Sequence, residues 1–276
     1  MTFSIVIAVY QGRPTLEKAF KSIFEQSCSD WELIVIDGGS DDGTVDLLKE
    51  NTAKIKYWIS EPDTGIYNAW NKALPHIHGE WVIFLGADDF LMDSKVLENS
   101  TSALEKAFPE YRVVYGQVTQ VDQQGEIIRV LGDPWEAIRE KMKSYMKIPH
   151  TATFQHRSLF DDHGGFCEDF KIAGDYEFLL RELADRPALF MQDLVVSAMQ
   201  VGGVSASPQN NIKMVREYQR ARHMHGFNSF SLYYPLSYLK NEFRLLLWQV
   251  FGEANAKKIL DSWRKVTGRE PYWTRL

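Results

Sequence analysis

Short apolar runs alternate with helical patterns through the first ninety residues. Residues 4–9 read as a buried strand. Pro14 then suits a helix start, and Leu16, Ala19, Phe20, Ile23 and Phe24 form one apolar stripe. A second strand is predicted over 32–36. The turn-rich Asp37-Gly38-Gly39-Ser40-Asp41-Asp42-Gly43 and a short helix from about Thr44 follow it. A third strand over 55–59, a helix over 66–74 and a fourth strand over 81–85 complete this half, ending in Gly86-Ala87-Asp88-Asp89. Such alternation predicts an α/β domain with a mainly parallel, doubly wound sheet.

In sheets of this kind ligands bind beyond the carboxyl ends of the strands. Four loops qualify: Tyr10-Gln11-Gly12, Asp37-Gly38-Gly39, Glu61-Pro62-Asp63 and residues 86–89. Three of them carry carboxylates, which favours a polar ligand accompanied by a divalent cation.

Beyond residue 112 the pattern is mixed. Strands are predicted over 113–115, 117–121 and 127–131, with residues 122–125 turning the last two into a hairpin. A helix over 135–146, a strand over 152–155, a helix over 175–183 and β character over 194–201 follow. Residues 202–208 read as a loop, and the chain is helical from there to about residue 266. The division expected is a domain over 1–208, split near residue 115 into two halves, and a helical extension over 209–276.

Composition and charge sharpen this outline. Of 276 residues, 45% are hydrophobic and 25% charged, so the chain is neither disordered nor fibrous. Its net charge of −6 conceals a division. Residues 211–276 hold 12 basic and 5 acidic side chains, net +7, leaving −13 for residues 1–210. An acidic body with a basic, aromatic-rich tail suggests one task on a small ligand and another at an anionic surface. Cys28 and Cys167 are too few for a disulfide framework and fit a reducing compartment. With no signal-like leader and no apolar run near 20 residues, the sequence predicts a cytoplasmic protein.

The candidate chemistry lies mostly in aspartates. Asp88 and Asp89 end an apolar strand, where a carboxylate pair needs a cation or donors. They either hold Mg²⁺ or Mn²⁺ or cap the following helix. Asp37 either accepts hydrogen bonds from a ribose or base, or makes an ordinary strand-to-helix turn. Asp175, in the first turn of its helix, is either a partly desolvated general base or a helix cap. Among seven histidines, His76/His78 and His223/His225 lack a third ligand, which speaks against zinc, and His150 is the one worth following as a weaker metal candidate. No phosphate-binding P-loop, nucleophile elbow or Gly-x-Gly-x-x-Gly fingerprint occurs, which argues against a kinase, an α/β-hydrolase and a dinucleotide-dependent dehydrogenase.

Five stretches together resemble the family 2 glycosyltransferases. They are Ser4-Ile5-Val6-Ile7-Ala8-Val9-Tyr10-Gln11, Val35-Ile36-Asp37-Gly38-Gly39-Ser40-Asp41-Asp42-Gly43-Thr44, Ser60-Glu61-Pro62-Asp63-Thr64-Gly65-Ile66-Tyr67-Asn68-Ala69-Trp70-Asn71-Lys72, residues 81–89 and residues 170–181. Order and spacing match over roughly residues 3–200, and the Ser-Glu-Pro-Asp and Gly-Ala-Asp-Asp variants look most like enzymes of bacterial exopolysaccharide and colanic-acid-type assembly. The resemblance implies the GT-A fold and an inverting transfer from a nucleotide-diphosphate sugar. By position, Ala8, Val9, Tyr10 and Asp37 would line the base and ribose pocket. Asp63, Gly65, Asn68 and Lys72, with Ala87, would help hold the donor, Asp88 with Asp89 the Mn²⁺ or Mg²⁺, and Asp175 would deprotonate the acceptor. Two departures stand out: Gly38 replaces a second aspartate after Asp37, and Gly86 replaces the first acid of the family's Asp-x-Asp.

The tail segment 233–251 reads as a helix after Pro235, mixing Lys240 and Arg244 with aromatics and leucines. It suits an anionic membrane surface, which the resemblance favours because such enzymes often use polyprenyl-diphosphate-linked acceptors. This would place the protein on the inner face of the cytoplasmic membrane. The alternative is a helix packed on the core or across a homodimer. For the body, the competing functions are a nucleotidyltransferase and a non-catalytic nucleotide-sugar-binding subunit. Nucleic-acid binding is disfavoured, since the basic surface is confined to the tail.

Overall fold

In the computed structural model, which describes residues 2–122, 124–201 and 208–275, the chain opens with regular β–α alternation. The elements are β1 (Phe3–Val9), α1 (Arg13–Phe24), β2 (Trp31–Asp37), α2 (Thr44–Glu50), β3 (Tyr57–Ser60), α3 (Ile66–Ala73) and β4 (Trp81–Gly86). Next come β5 (Asp89–Leu91), α4 (Val96–Ala107), β6 (Val113–Val121), β7 (Ile127–Leu131), α5 (Trp135–Met142), β8 (Thr153–His156), α6 (Ser158–His163), α7 (Gly174–Leu183) and β9 (Leu189–Gln200). Three helices close the chain: α8 (Pro208–Met224), α9 (Tyr233–Phe251) and α10 (Glu253–Val266).

One sheet runs in the order β3-β2-β1-β4-β8-β6-β9-β5, with β7 beside β6. Its first four strands are parallel, as β–α crossovers require. Beyond β4 the sheet becomes mixed: β8 is antiparallel to β4 and β6, whereas β6 and β9 are parallel. Both faces are apolar. Phe3, Ile5, Ile7 and Val9 of β1 pack with Leu16, Ala19, Phe20 and Ile23 of α1. Val6, in register between them, joins the opposite core with Tyr67 and Trp70 of α3 and Tyr176 and Leu179 of α7. Strands buried on both sides carry no period-two alternation, which is why these runs read as apolar throughout.

Several expectations need correction. The strands predicted over 113–115 and 117–121 are one strand, continuous because β8 and β9 pair along its two edges. The helix predicted over 135–146 stops at Met142, whose carbonyl accepts the Tyr176 hydroxyl at 2.8 Å. β5, α4 and α6 were not predicted: α4 carries Ser100 within its buried stripe, which masks the apolar period. The helical stretch after residue 208 is three helices, broken at 225–232 and at Gly252. The loop predicted over 202–208 and part of the hairpin turn at 122–125 lie outside the described residues.

Of the C-terminal helices, α8 is part of the main core, contributing Val215, Tyr218 and Ala221 against α7. Leu247, Ala256 and Leu260 instead form a small cluster between α9 and α10.

Candidate functional site

Strand register brings the four carboxyl ends level. Val9 pairs with Asp37, Asp37 with Ser60, and Ala8 with Gly86. The four loops that follow therefore open side by side along one sheet edge, where the doubly wound topology leaves a crevice.

At one end of this edge Tyr10 is exposed and Asp63 half-buried. A Cβ on Gly38 would stand 2.6 Å from Asp63 Oδ2 and 3.3 Å from Tyr10 Cδ2. The backbone at residue 38 is thus bracketed by a carboxylate and an aromatic ring, and a side chain there would have to displace them. Asp37 lies beneath, wholly buried. Its Oδ2 accepts the Gly39 and Ser40 N–H groups at 3.1 and 2.9 Å and the Ser60 hydroxyl at 2.5 Å, and its Oδ1 accepts the Ser40 hydroxyl at 2.5 Å. Asp37 thereby ties the ends of β2 and β3 and shapes the loop with both of its oxygens. Ser40 Oγ also accepts the Gln11 N–H at 2.7 Å, locking the first loop to the second.

The third loop is braced from α3. Asp63 Oδ1 accepts the Gly65 N–H at 2.9 Å, and Lys72 bonds the Pro62 carbonyl at 2.9 Å and pairs with Glu61 at 2.8 Å. Asn68 and Asn71 both donate to Glu168, at 2.9 and 2.8 Å. Of the donor-holding residues expected from sequence, Asn68 and Lys72 are engaged in building the loops.

At the fourth loop Asp89 is buried and Asp88 half-buried. Asp89 Oδ2 accepts the Gly86 N–H at 3.0 Å, while its buried Oδ1 has no hydrogen-bond partner. Burial and the neighbouring Asp88 charge push the Asp89 carboxyl up to about 8. Asp88, also raised by burial, bonds no other described side chain or amide. A carboxylate pair of this kind, one member buried and the other half-buried, lacks positive charge, and a hard divalent ion would supply it. No cluster of three or more His, Cys, Asp or Glu ligands occurs among the described residues. An ion held by Asp88 and Asp89 would therefore draw its other ligands from water and substrate, the usual manner of Mg²⁺. The donor set fits such an ion. Ala87, between Gly86 and Asp88, is half-buried at the same edge.

Asp175 lies in the first turn of α7, half-buried. Its Oδ1 accepts the Tyr176 N–H at 2.8 Å and the Tyr67 hydroxyl at 3.3 Å. Burial and the Asp175 charge raise the Tyr67 phenol well above its ordinary value, so it stays a neutral donor. Tyr67 sits on α3, directly after the third loop, and so joins Asp175 to the sheet edge. His150 is buried against Trp70 and Phe84, with ring centroids at 5.0 and 5.8 Å, and lies 3.0 Å from Gln155 Nε2. Burial lowers its proton affinity, partly offset by the Asp175 charge, so the imidazole is neutral at pH 7. Its surroundings are aromatic, without a carboxylate partner.

Sequence reasoning missed Tyr67, whose motif position showed but whose partner did not, and Glu217 of α8. Glu217 bonds the main-chain N–H groups of residues 171–173, a contact that no side-chain pattern advertises.

The family model described as glycosyl transferase family 2 matches residues 4–163. The chain belongs to glycosyl transferase family 2. Among curated family relatives, the PGL/p-HBAD biosynthesis glycosyltransferase of Mycobacterium bovis is 30% identical over 211 residues, covering 74% of this chain and 78% of its own. The chondroitin synthase of Escherichia coli is 29% identical over 188 residues, 64% of this chain and 26% of that longer one. Among solved structures, S. aureus TarS in complex with UDP-GlcNAc superposes with a TM-score of 0.64 at 17% identity, covering 86% of this chain and 69% of its own. The mannosyltransferase PcManGT of Pyrobaculum calidifontis, in complex with GDP-Man and Mn²⁺, gives 0.63 at 19% identity, covering 99% and 82%. These structural likenesses establish the GT-A fold, and the family makes the protein a glycosyltransferase. The matched segment takes in all four edge loops and His150 but stops short of α7 and the C-terminal helices. Among the described residues no helix is long and apolar enough to cross a membrane.

Proposed function

We propose that this glycosyltransferase transfers a sugar from a nucleotide-diphosphate donor to a saccharide hydroxyl with inversion, in the assembly of a cell-surface polysaccharide. The observation that carries the reading is the shared edge. It presents an exposed ring and a carboxylate (Tyr10, Asp63), a carboxylate pair short of positive charge (Asp88, Asp89), and a half-buried aspartate held by a neutral phenol (Asp175, Tyr67). The nucleotide would lie over Ala8, Val9 and Tyr10, with Asp63 and Gly65 on the sugar side, and Asp37, Asn68 and Lys72 would keep the loops in shape. The structures solved with UDP-GlcNAc and with GDP-Man and Mn²⁺ are consistent with such a donor.

In this reading Asp175 accepts the proton of the acceptor hydroxyl as that oxygen attacks the anomeric carbon from the face opposite the leaving diphosphate. Tyr67 orients the carboxylate by donating to one oxygen and leaves the other for the acceptor. No covalent intermediate on the protein is needed. Asp88 and Asp89 would hold Mn²⁺ or Mg²⁺, with His150 a weaker candidate because it is enclosed by rings. Such an ion, when bound, neutralises charge on the departing nucleoside diphosphate.

For the C-terminal segment we propose contact with an anionic membrane at its cytoplasmic face, where a polyprenyl-diphosphate-linked acceptor would reside. Leu236, Leu239, Phe243, Leu246 and Val250 of α9 are each more than half exposed, and their spacing puts them on one face. Lys240 and Arg244 on the same helix, and Lys257, Lys258, Arg264 and Lys265 on α10, supply the charge that anionic headgroups attract. A homodimer through this face is the competing outcome.

A thermal-shift screen of UDP-, GDP- and dTDP-sugars with Mn²⁺, followed by nucleoside diphosphate release on the hits, tests the transfer reading. Asp175→Asn is expected to keep the thermal shift and lose release by at least 100-fold. Unchanged turnover in that variant refutes the base assignment.

A further inference from the structure

Glu217 is a buried carboxylate with an unusual set of partners. Its Oε1 accepts the Lys171 N–H at 3.0 Å, and its Oε2 accepts the N–H groups of Lys171, Ile172 and Ala173 at 3.2, 2.8 and 2.8 Å. No Lys or Arg among the described residues pairs with it. Three consecutive amides thus converge on one side chain immediately before α7, a helix with no side-chain cap of its own. Charge-assisted bonds of this kind are the stronger class, and the helix N-terminus adds to them.

Docking α8 does not by itself require this. Val215, Tyr218 and Ala221 already bury an apolar face against α7, and the Tyr218 ring meets Tyr176 edge-on at 4.8 Å. Apolar contact sets how closely two helices approach, but it directs their rotation and register weakly. Bonds to three successive amides fix the orientation of the strand of backbone that makes them. Asp175 is the second residue of the helix so fixed, and its own ties are slight: one phenol at 3.3 Å and the adjoining amide. Lys171 extends the connection, since its Nζ donates to the Thr64 carbonyl of the third loop at 3.2 Å.

We propose that Glu217 is a positioning residue: through residues 171–173 it sets the placement of Asp175 against the third loop, so that α8 completes the catalytic site. The proposal rests on the reading of Asp175 as the base.

The test compares Glu217→Gln, Glu217→Asp, His225→Ala and Asp175→Asn in the full chain. His225 provides another polar tie from the end of α8 to α7, bonding Glu177 at 2.8 Å, and touches neither Asp175 nor residues 171–173. Activity is nucleoside diphosphate release with Mn²⁺ from whichever of UDP-GlcNAc, UDP-glucose and GDP-mannose the wild type turns over. Glu217→Gln keeps the volume but turns an NH₂ group toward the amides. Its kcat is expected to fall about 10- to 100-fold with the donor KM within about 2-fold. Glu217→Asp keeps the charge with a shorter reach, and should retain the fold and lose kcat by a smaller factor. Amide hydrogen exchange supplies a readout independent of chemistry: residues 171–173 should exchange at least about 10-fold faster in Glu217→Gln, with β1 to β4 unchanged. Wild-type kcat in Glu217→Gln, or an equal loss in His225→Ala, overturns the proposal. An active Asp175→Asn removes the premise instead, and is recognised without reference to Glu217.

Discussion

A methyl group on Gly86 would test how the carboxylate pair is built. An ideal Cβ there stands 2.7 Å from Asp89 Oδ2 and 2.9 Å from Asp88 Oδ1, well inside van der Waals contact, so one or both carboxylates must move. Asp88 is half-buried and can swing outward at little cost. Asp89 cannot follow, because it is buried, bonds the Gly86 N–H at 3.0 Å and lies in β5, which pairs with β9. Overpacking of a filled site costs about 1–3 kcal/mol, and the outward swing of Asp88 brings Gly86→Ala to the lower part of that range, about 1–2 kcal/mol. The effect on an ion should be larger, since displacing groups around a metal typically weakens affinity about 10–100-fold. Urea unfolding gives the stability change, and the Mn²⁺ concentration for half-maximal nucleoside diphosphate release gives the affinity change. Gly86→Asp, which restores the family's usual acid on paper, should be worse than Gly86→Ala because a third carboxylate enters a site already short of positive charge. Wild-type stability with an unaltered Mn²⁺ requirement in Gly86→Ala would refute this account.

EDTA should remove nucleoside diphosphate release and Mn²⁺ or Mg²⁺ restore it; full activity in chelator would strip Asp88 and Asp89 of their role. Glu182 is buried and bonds Arg112 through both oxygens, so Glu182→Ala, which leaves the buried guanidinium with only the exposed Asp162 as a charged partner, should cost about 3 kcal/mol in denaturant melts, the lower end of the range for breaking a buried pair. Burial alone would raise the Glu182 carboxyl, but the Arg112 and His163 bonds prevail and hold it below the usual range. A depressed carboxyl stabilises fully above its unfolded value near 4.3 and loses that contribution as pH falls through the folded value. The stability gap between wild type and Glu182→Gln should therefore be constant near pH 7 and narrow below about pH 4; a gap unchanged at pH 3 would contradict it. Flotation with phosphatidylglycerol vesicles in low salt should capture the wild type, whereas Leu239→Glu with Phe243→Glu should release it. A dimer in sedimentation that the same substitutions dissolve, without vesicle binding, would assign that face to a second copy. Truncation at residue 209 is no substitute, because it removes α8 from the main core.

The body of the fold was legible because its signals are local. β1, β2 and β4 are apolar on both faces, so each shows as an unbroken run, and the stripe of α1 repeats at helical spacing. The loops that follow carry Asp37, Asp63 and Asp88 in an order that marks the family, and position along the chain sufficed to name them. What position leaves undetermined is which oxygen atoms remain available. Asp37 stands where the resemblance puts a ligand contact, yet tertiary contacts with Ser40 and Ser60 engage both its oxygens inside the protein. Asn68 and Lys72 are likewise engaged by Glu168, Pro62 and Glu61. Glu217 lies at the far limit, because its partners are main-chain amides more than forty residues away, which leave no trace in side-chain pattern. The sequence by itself determined the alternating strands and helices of the first half, the family and the residue types at the edge, since these follow from local periodicity and motif. Only the tertiary structure decided how deeply each carboxylate is buried and which hydrogen bonds it makes within the protein, since burial and hydrogen-bond partners exist only once distant segments have packed.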